Sequence, residues 1–245
     1  MKTTQLAHRP WPLPSGPWVM AQRWHNLLFA HWPLPPGALR STIPEGLRLD
    51  TFEGQAWLGI VPFTMSGVRL RGTPALPWLS AFPELNVRTY VVAGARPGVY
   101  FFSLDAGNPL AVTAARAWFH LPYFRARMSA RLAGERVHYA SRRTHRGAPP
   151  ARFAGRYAPT SPVYRARPGT LEHWLVERYC LYTQLPGRGL RRGEIHHAPW
   201  PLQDAEAEIA ENTMARAQGL ALPDRPPLLH YAHRLDVVVW PLRRL

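Results

Sequence analysis

Residues 82–91, FPELNVRTYV, alternate in character: Glu84, Asn86, Arg88 and Tyr90 occupy one set of positions, Leu85, Val87, Thr89 and Val91 the other. A period of two predicts a β-strand, because successive side chains leave a strand on opposite sides. After the turn GARPG, the run VYFFSLDAG completes a predicted hairpin. Upstream, LRLDTF, a Glu53-Gly54 turn and QAWLGIVPFTM predict another hairpin. The second strand of that pair is apolar on both faces and so belongs in the centre of a sheet, with Pro62 at a bulge or unpaired position.

Further along, PLAVTAARAWFHL reads as a helix opened by Asn108 as N-cap and Pro109 at the first helical position, with Ala111, Ala114, Ala115 and Trp118 on one face. RARMSARL and ERVHYASRR form a hairpin turning at Ala133-Gly134. Its pattern sends Ala126, Met128, Ala130 and Leu132 inward and Arg125, Arg127 and Arg131 outward. TLEHWLVERY predicts a short helix capped by Thr170, and LRRGEIHHAPW a strand. QDAEAEIAENTMARAQG predicts a third helix, with Asp204, Glu206 and Glu208 near its start and Gly219 as its stop. LLHYAHRLDVVVW closes the sheet. Roughly nine or ten strands with three interspersed helices and no βαβ alternation predict an α+β, β-rich fold, a barrel-like antiparallel sheet.

Composition refines this picture. A chain of 245 residues buries roughly 70% of its unfolded surface and needs no disulfide or metal to stand. Cys180 is the single cysteine, which excludes an internal disulfide and a cysteine-based zinc cluster. No apolar run has the length of a membrane span, and the N-terminus lacks a signal-peptide pattern, so a cytoplasmic protein is expected. Residues 1–20, with Pro10, Pro12, Pro14 and Pro17, read as an extended arm, disordered or packed as polyproline II; residues 21–245 read as one domain. The formal net charge of +15 rests on arginine, since Lys2 is the one lysine among 30 basic residues. That bias, with 27 prolines, reflects GC-rich coding more than selection for polyanions. The charge is concentrated between Arg125 and Arg167, where eleven arginines meet one acid, Glu135.

The residues alone leave the polar face of 84–90 open to two readings, an outer surface or the lining of a cavity. A wider pattern bears on it. The runs RWHNLLFAHWPLPPGALRSTIPEGLRLDTFEGQAWLGIVPFTM, FPELNVRTYV, HHAPWPLQDAEAEI and LLHYAHRLDVVVWPL resemble the YqjF-like family of bacterial proteins of unknown function, over residues 21–245. That family is similar in fold to acetoacetate decarboxylase, a curved antiparallel β-barrel around a small cavity with a few peripheral helices. The resemblance implies that the polar face of residues 84 to 90, Glu84, Asn86, Arg88 and Tyr90, looks inward.

Decarboxylases of this superfamily form a Schiff base through a lysine that follows a proline. Here HLPYFRARM matches that stretch, and Tyr123 stands after Pro122. A Schiff base needs a primary amine, and Lys2 in the arm is the one side-chain amine; a guanidinium stays protonated and is not nucleophilic. Along an extended strand Glu84 and Arg88 lie about 13 Å apart, so each needs its own partner. The functional assignment makes Glu84 and Tyr123 catalytic, with Tyr123 a hydrogen-bond donor or general acid. It makes Arg88 the anchor of a carboxylate or other small organic anion, and Asn86 a group that orients a substrate carbonyl. The bland assignment is a sealed structural network.

Other constellations are weaker. His196 and His197 point to opposite faces of a strand; Glu194 and His196 share one, with no third ligand, so neither a metal nor a cofactor is expected. His25 and His31 read as satisfied core histidines, and Cys180 in YCLY as a small buried hydrophobe. The competing function puts Arg125, Arg127, Arg131, Arg136, Arg142 and Arg143 on a basic sheet face for nucleic acid or another polyanion. Sparse aromatic interleaving argues against nucleic acid. Oligomeric state is left open, a homo-oligomer included.

Overall fold

The structure, a computed structural model, describes residues 6–76, 80–185, 187 and 189–245. The described strands are β1 (Met20–Leu34), β2 (Arg48–Leu49), β3 (Ala56–Leu70), β4 (Phe82–Ala93), β5 (Arg96–Ala106), β6 (Tyr123–Ala133), β7 (Arg136–Arg143), β8 (Arg152–Pro159), β9 (Cys180–Leu185), β10 (Gly189–His196), β11 (Leu202–Asn212), β12 (Leu228–Val239) and β13 (Arg243–Arg244). The α-helices whose full span is described are α1 (Pro36–Arg40), α2 (Pro109–Trp118) and α3 (Leu171–Val176).

Nine strands close into a barrel in the order β5, β6, β7, β8, β11, β12, β1, β3, β4 and back to β5. Every neighbour is antiparallel except β5 and β6, which run parallel through Leu104–Tyr123. A second circuit branches from the same wall. β9 pairs parallel with β5, and β10 pairs with both β9 and β12, so that β12, β1, β3, β4, β5, β9 and β10 also form a ring. The strands β1, β3 and β4 therefore separate two interiors. Leu28, Ile60, Leu85 and Val87 pack toward Tyr139, Phe153 and Tyr157 on one side. Phe29, Val61, Phe63 and Phe82 pack toward Leu104, Leu175 and Val237 on the other. β3, buried between the two interiors, is apolar on both faces over Ala56–Phe63, as its sequence reads.

The caps stand where the sequence puts them. Asn108 accepts from the backbone N–H groups of Leu110 and Ala111 at the head of α2, and Thr170 from that of His173 at the head of α3. Glu53 and Gly54 turn with φ of 48° and 78°, a conformation that suits glycine. The turn, however, closes only the Phe52–Gln55 bridge, and β2 pairs with β4 through Arg48–Val92 and Leu49–Val91 instead of forming the expected hairpin with β3.

The expected helix over 203–219 is β11, followed by a 3-10 turn (Arg216–Gln218) that stops at Gly219 with φ of 73°. Alanine and glutamate favour helices, but only weakly. Here Ala205, Ala207 and Ile209 alternate with Glu206 and Glu208, a two-residue period that the barrel exploits. Pairing with β8 sets the glutamates against arginines: Arg156 contacts Glu208 at 2.6 Å, and Arg136 reaches both Glu206 and Glu208. Leu132, expected inside, is 54% exposed at the hairpin end, where the sheet has nothing to cover it. The strands β1, β8 and β9 were not expected. β1 hides because its alternation breaks at Asn26, whose φ is 51°. Before it Met20, Gln22 and Trp24 line the second interior; after it Leu27 does, so the parity of the strand flips.

The described part of the N-terminal arm is held by specific contacts. Arg9 donates to Glu194 and to the Ile195 carbonyl, His8 to the His197 carbonyl, and Trp11 Nε1 to Glu194. Lys2 lies outside the described residues.

Candidate functional site

The second interior is not packed solid. It holds a cavity of about 480 Å³ lined by Glu84, Asn86, Arg88 and Tyr123 together with Arg178, His197, Trp200 and a surround of apolar side chains. Strand geometry explains the set. The even positions of β4 face the cavity at Phe82, Glu84, Asn86 and Arg88, opposite Met65, Phe63, Val61 and Gly59 of β3. Tyr123 opens β6 beside Leu104 and so meets this wall from the side. Glu84, Asn86, Arg88 and Tyr123 are 3%, 5%, 9% and 8% exposed respectively, so none belongs to an outer face.

Glu84 and Tyr123 are in direct contact. The phenol donates to Glu84 Oε2 at 2.9 Å. Burial is the main influence on this carboxyl; the charge of Asp105 adds to it, the Tyr123 hydrogen bond opposes it, and the result is a pKa pushed up from 4.5 to about 8. Glu84 is thus a neutral acid at neutral pH. Tyr123 is raised well above its ordinary value by burial and then by Glu84, and stays a phenol. Behind the site Tyr139 donates to the Glu84 carbonyl at 2.7 Å and fixes this part of β4.

Arg88 is of another kind. Its guanidinium lies 5.5 Å from the centre of the Phe29 ring and 5.8 Å from that of Tyr90. No carboxylate among the described residues pairs with it, and its Nε has no hydrogen-bond partner. Gly59 makes the room: a Cβ there would come within 3.0 Å of the His31 ring and 3.4 Å of Arg88 Cγ. His31 itself accepts from or donates to the Tyr90 hydroxyl at 2.6 Å, and burial holds it well below its ordinary pKa, hence neutral.

Sequence reasoning missed Arg178, His197 and Trp200. Arg178 follows α3, pairs with Asp50 at 2.5 Å, donates to the Trp174 carbonyl and stacks 4.3 Å from the Trp174 ring. Its Nη2 has no partner, and neither does Trp200 Nε1. Only the topology reveals these residues, since nothing in the sequence marks 178 or 200 as neighbours of 88. The unpartnered buried atoms on the cavity-lining residues are thus three donors, Arg88 Nε, Arg178 Nη2 and Trp200 Nε1, and one acceptor, Asn86 Oδ1. A buried donor without a partner costs about 1–3 kcal/mol.

The chain matches, over residues 21–236, the family model DUF2071, described as an uncharacterized conserved protein. It is also 48% identical over 232 residues to the uncharacterized protein YqjF of Bacillus subtilis (strain 168), with 95% of each chain covered. The chain belongs to the DUF2071 family. Among solved structures it is similar to the enduracididine biosynthesis enzyme MppR complexed with the condensation product of pyruvate and imidazole 4-carboxaldehyde, with a TM-score of 0.63, 12% identity, and 93% of this chain and 89% of that one covered. It is likewise similar to acetoacetate decarboxylase from Legionella pneumophila, with a TM-score of 0.62, 12% identity, and 97% and 92% covered. This DUF2071 chain therefore has the acetoacetate-decarboxylase-like fold.

The other candidates separate from the cavity. Glu194 is occupied by Arg9, Trp11, Arg96 and Arg192, and among the described residues no three His, Cys, Asp or Glu are grouped as a metal site. Arg143, counted with the basic outer face, is buried and bound through Nε and Nη2 to Asp105 at 2.6–3.1 Å, because its strand position points it into the nine-strand barrel wall. Arg136 is paired with the glutamates of β11. No helix among the described residues is long and apolar enough to cross a membrane.

Proposed function

We propose that this protein binds a small organic anion bearing a carbonyl group, held by Arg88 with Arg178 and Trp200, and presents the carbonyl to Glu84 and Tyr123 for acid-assisted lyase or hydrolase chemistry. The observation that carries the reading is the Arg88 guanidinium, more than nine-tenths buried, facing a cavity and lacking a carboxylate among the described residues. A buried cation of this kind is stabilised when an anion arrives. Arg178 is already balanced by Asp50 and Glu84 is uncharged at neutral pH, so the cavity has room for one negative charge.

Glu84 supplies the chemistry. Tyr123 occupies Oε2, which leaves Oε1 to carry the proton toward a ligand oxygen. Asn86, with its free acceptor, orients a donor group of the ligand. The structural relatives named for pyruvate-derived or acetoacetate chemistry support a carbonyl acid as ligand class. Among the described residues none can carry amine catalysis: Tyr123 follows Pro122, and the chain's one lysine, Lys2, lies outside them.

Isothermal titration with keto, hydroxy and short-chain carboxylic acids tests the reading. Binding by one class, lost in Arg88→Met, is the expected result. Failure of every acid to bind would falsify it.

A further inference from the structure

The cavity is graded along its length. Stepping down β4 from its start, the lining passes from Phe82 to Glu84, Asn86 and Arg88. Six steps of ~3.3 Å from Phe82 to Arg88 make that wall roughly 20 Å long. The cation is at one end. At the other, Met20 pairs with Leu70 at the rim, and α2 lies across the opening. This helix turns Ala111 and Ala115 to the cavity, yet its Leu110 and Trp118 line the mouth while 59% and 61% exposed. Leu70 and Leu76 add 42% and 45% exposed apolar side chains to the same rim. Four large apolar residues left in water around one opening are not a random scatter.

Resting on the reading of Arg88 as an anion anchor, we infer that the ligand is an amphipathic carboxylic acid: its carboxylate sits at Arg88, its polar middle at Asn86 and Glu84, and an apolar tail runs out past Phe82 to the Leu110–Trp118 rim. Volume points the same way. A hollow of 480 Å³ falls in the range of ~300–1,000 Å³ that accommodates drug-sized ligands, and a short keto acid alone leaves most of it empty. An apolar wall of this length gains nothing from a ligand without a tail. The buried cation without a carboxylate is at the inner end, while the described rim offers Gln22, Thr73 and the part-exposed Arg69, whose Nη1 donates to the Gly67 carbonyl, but no acid.

The test is a chain-length series of butanoate, octanoate, dodecanoate and tetradecanoate, titrated below their aggregation concentrations, on the parent and on Leu110→Asp. Dodecanol serves as the uncharged match. Each methylene that enters the apolar channel tightens binding about fourfold, so affinity climbs steeply from butanoate until the tail leaves the rim. In Leu110→Asp the climb stops at a shorter acid, because a carboxylate then meets the tail at the mouth. Butanoate binding with no dependence on chain length overturns the tail and leaves the anion reading standing. Dodecanol binding as tightly as dodecanoate overturns the head-group assignment. Absence of binding by every acid removes the anion reading itself. Ligand-free self-association abolished by Leu110→Asp gives the rim to a second copy of the chain and overturns the tail.

Discussion

Arg143 and Arg88 are both at least nine-tenths buried, and they live in opposite circumstances. Arg143 meets Asp105 through Nε and Nη2, stacks 4.2 Å from the centre of the Phe124 ring, and has nothing left to ask of its surroundings. Arg88 has rings beside it, an unpartnered Nε and an empty space in front. The first is what a protein does with a buried cation when structure is the purpose. The second keeps a desolvated charge without a counter-charge, which folding alone does not reward. The difference locates function more sharply than charge counting does, since +15 is spread over a surface where most arginines do neither.

The largest effect follows from breaking the satisfied pair. Arg143→Met strands Asp105, a carboxylate already raised in pKa by burial and pulled back by Arg143. The expected loss is about 3–5 kcal/mol in urea unfolding. Arg88→Met at the same degree of burial removes a charge that faces the Tyr90 hydroxyl but no carboxylate, and leaves ligand-free stability unchanged or higher by about 1 kcal/mol. Equal destabilisation by the two substitutions would mean that Arg88 is structurally paired after all.

Ligand binding reverses the ranking. Arg88→Met is expected to weaken the bound acid about 100-fold by titration, in keeping with roughly 2–3 kcal/mol for a charge-assisted hydrogen bond. Tyr123→Phe, which removes the donor that opposes the rise of the Glu84 pKa, moves that pKa further up and shifts the alkaline limb of any activity profile the same way.

Glu84 contributes a pH signature of its own. Between 4.5 and about 8 the unfolded chain releases this proton while the folded one keeps it. The raised pKa therefore favours the folded state below 4.5, and stability falls as pH rises toward about 8, by at most ~1.4 kcal/mol per pH unit. Glu84→Gln retains an acceptor for Tyr123 and lacks the titration, so its unfolding free energy is flatter over that window and higher than the parent's at pH 8. A parent and variant with parallel profiles would place the carboxyl at an ordinary pKa and take the acid away from the mechanism.

How much of this was readable beforehand depends on where the information resides. The alternation of 82–91 gave the strand and put Glu84, Asn86 and Arg88 on one face, because a two-residue period is a local property; that this face looks into a cavity came only from the family resemblance. The caps Asn108 and Thr170 are local too. β1 was not legible, since a single left-handed Asn26 shifts its parity and no propensity announces that. β11 was misread for the complementary reason: its Ala and Glu content speaks for a helix, and only the arginines of β7 and β8, fifty or more residues away, decide for a strand. Arg178 and Trp200 reach the cavity through the parallel pairing of β5 with β9 and the closure of β10 on β12, contacts that no short-range pattern encodes.

The smallest expected effect tests the comparison from its weak side. Arg127 on β6 stands directly opposite Arg142 on β7, both exposed. Like charges facing across an antiparallel pair destabilise it slightly. Arg127→Glu turns the repulsion into attraction and is expected to add a few tenths of a kcal/mol at low salt, fading as ionic strength rises. Because this face is separated from the cavity by the barrel wall, the affinity for carboxylic acids should not move. If acid binding weakened with Arg127→Glu while Arg88→Met left it intact, the ligand would belong on the outer sheet, and burial would have been the wrong guide to which arginine matters.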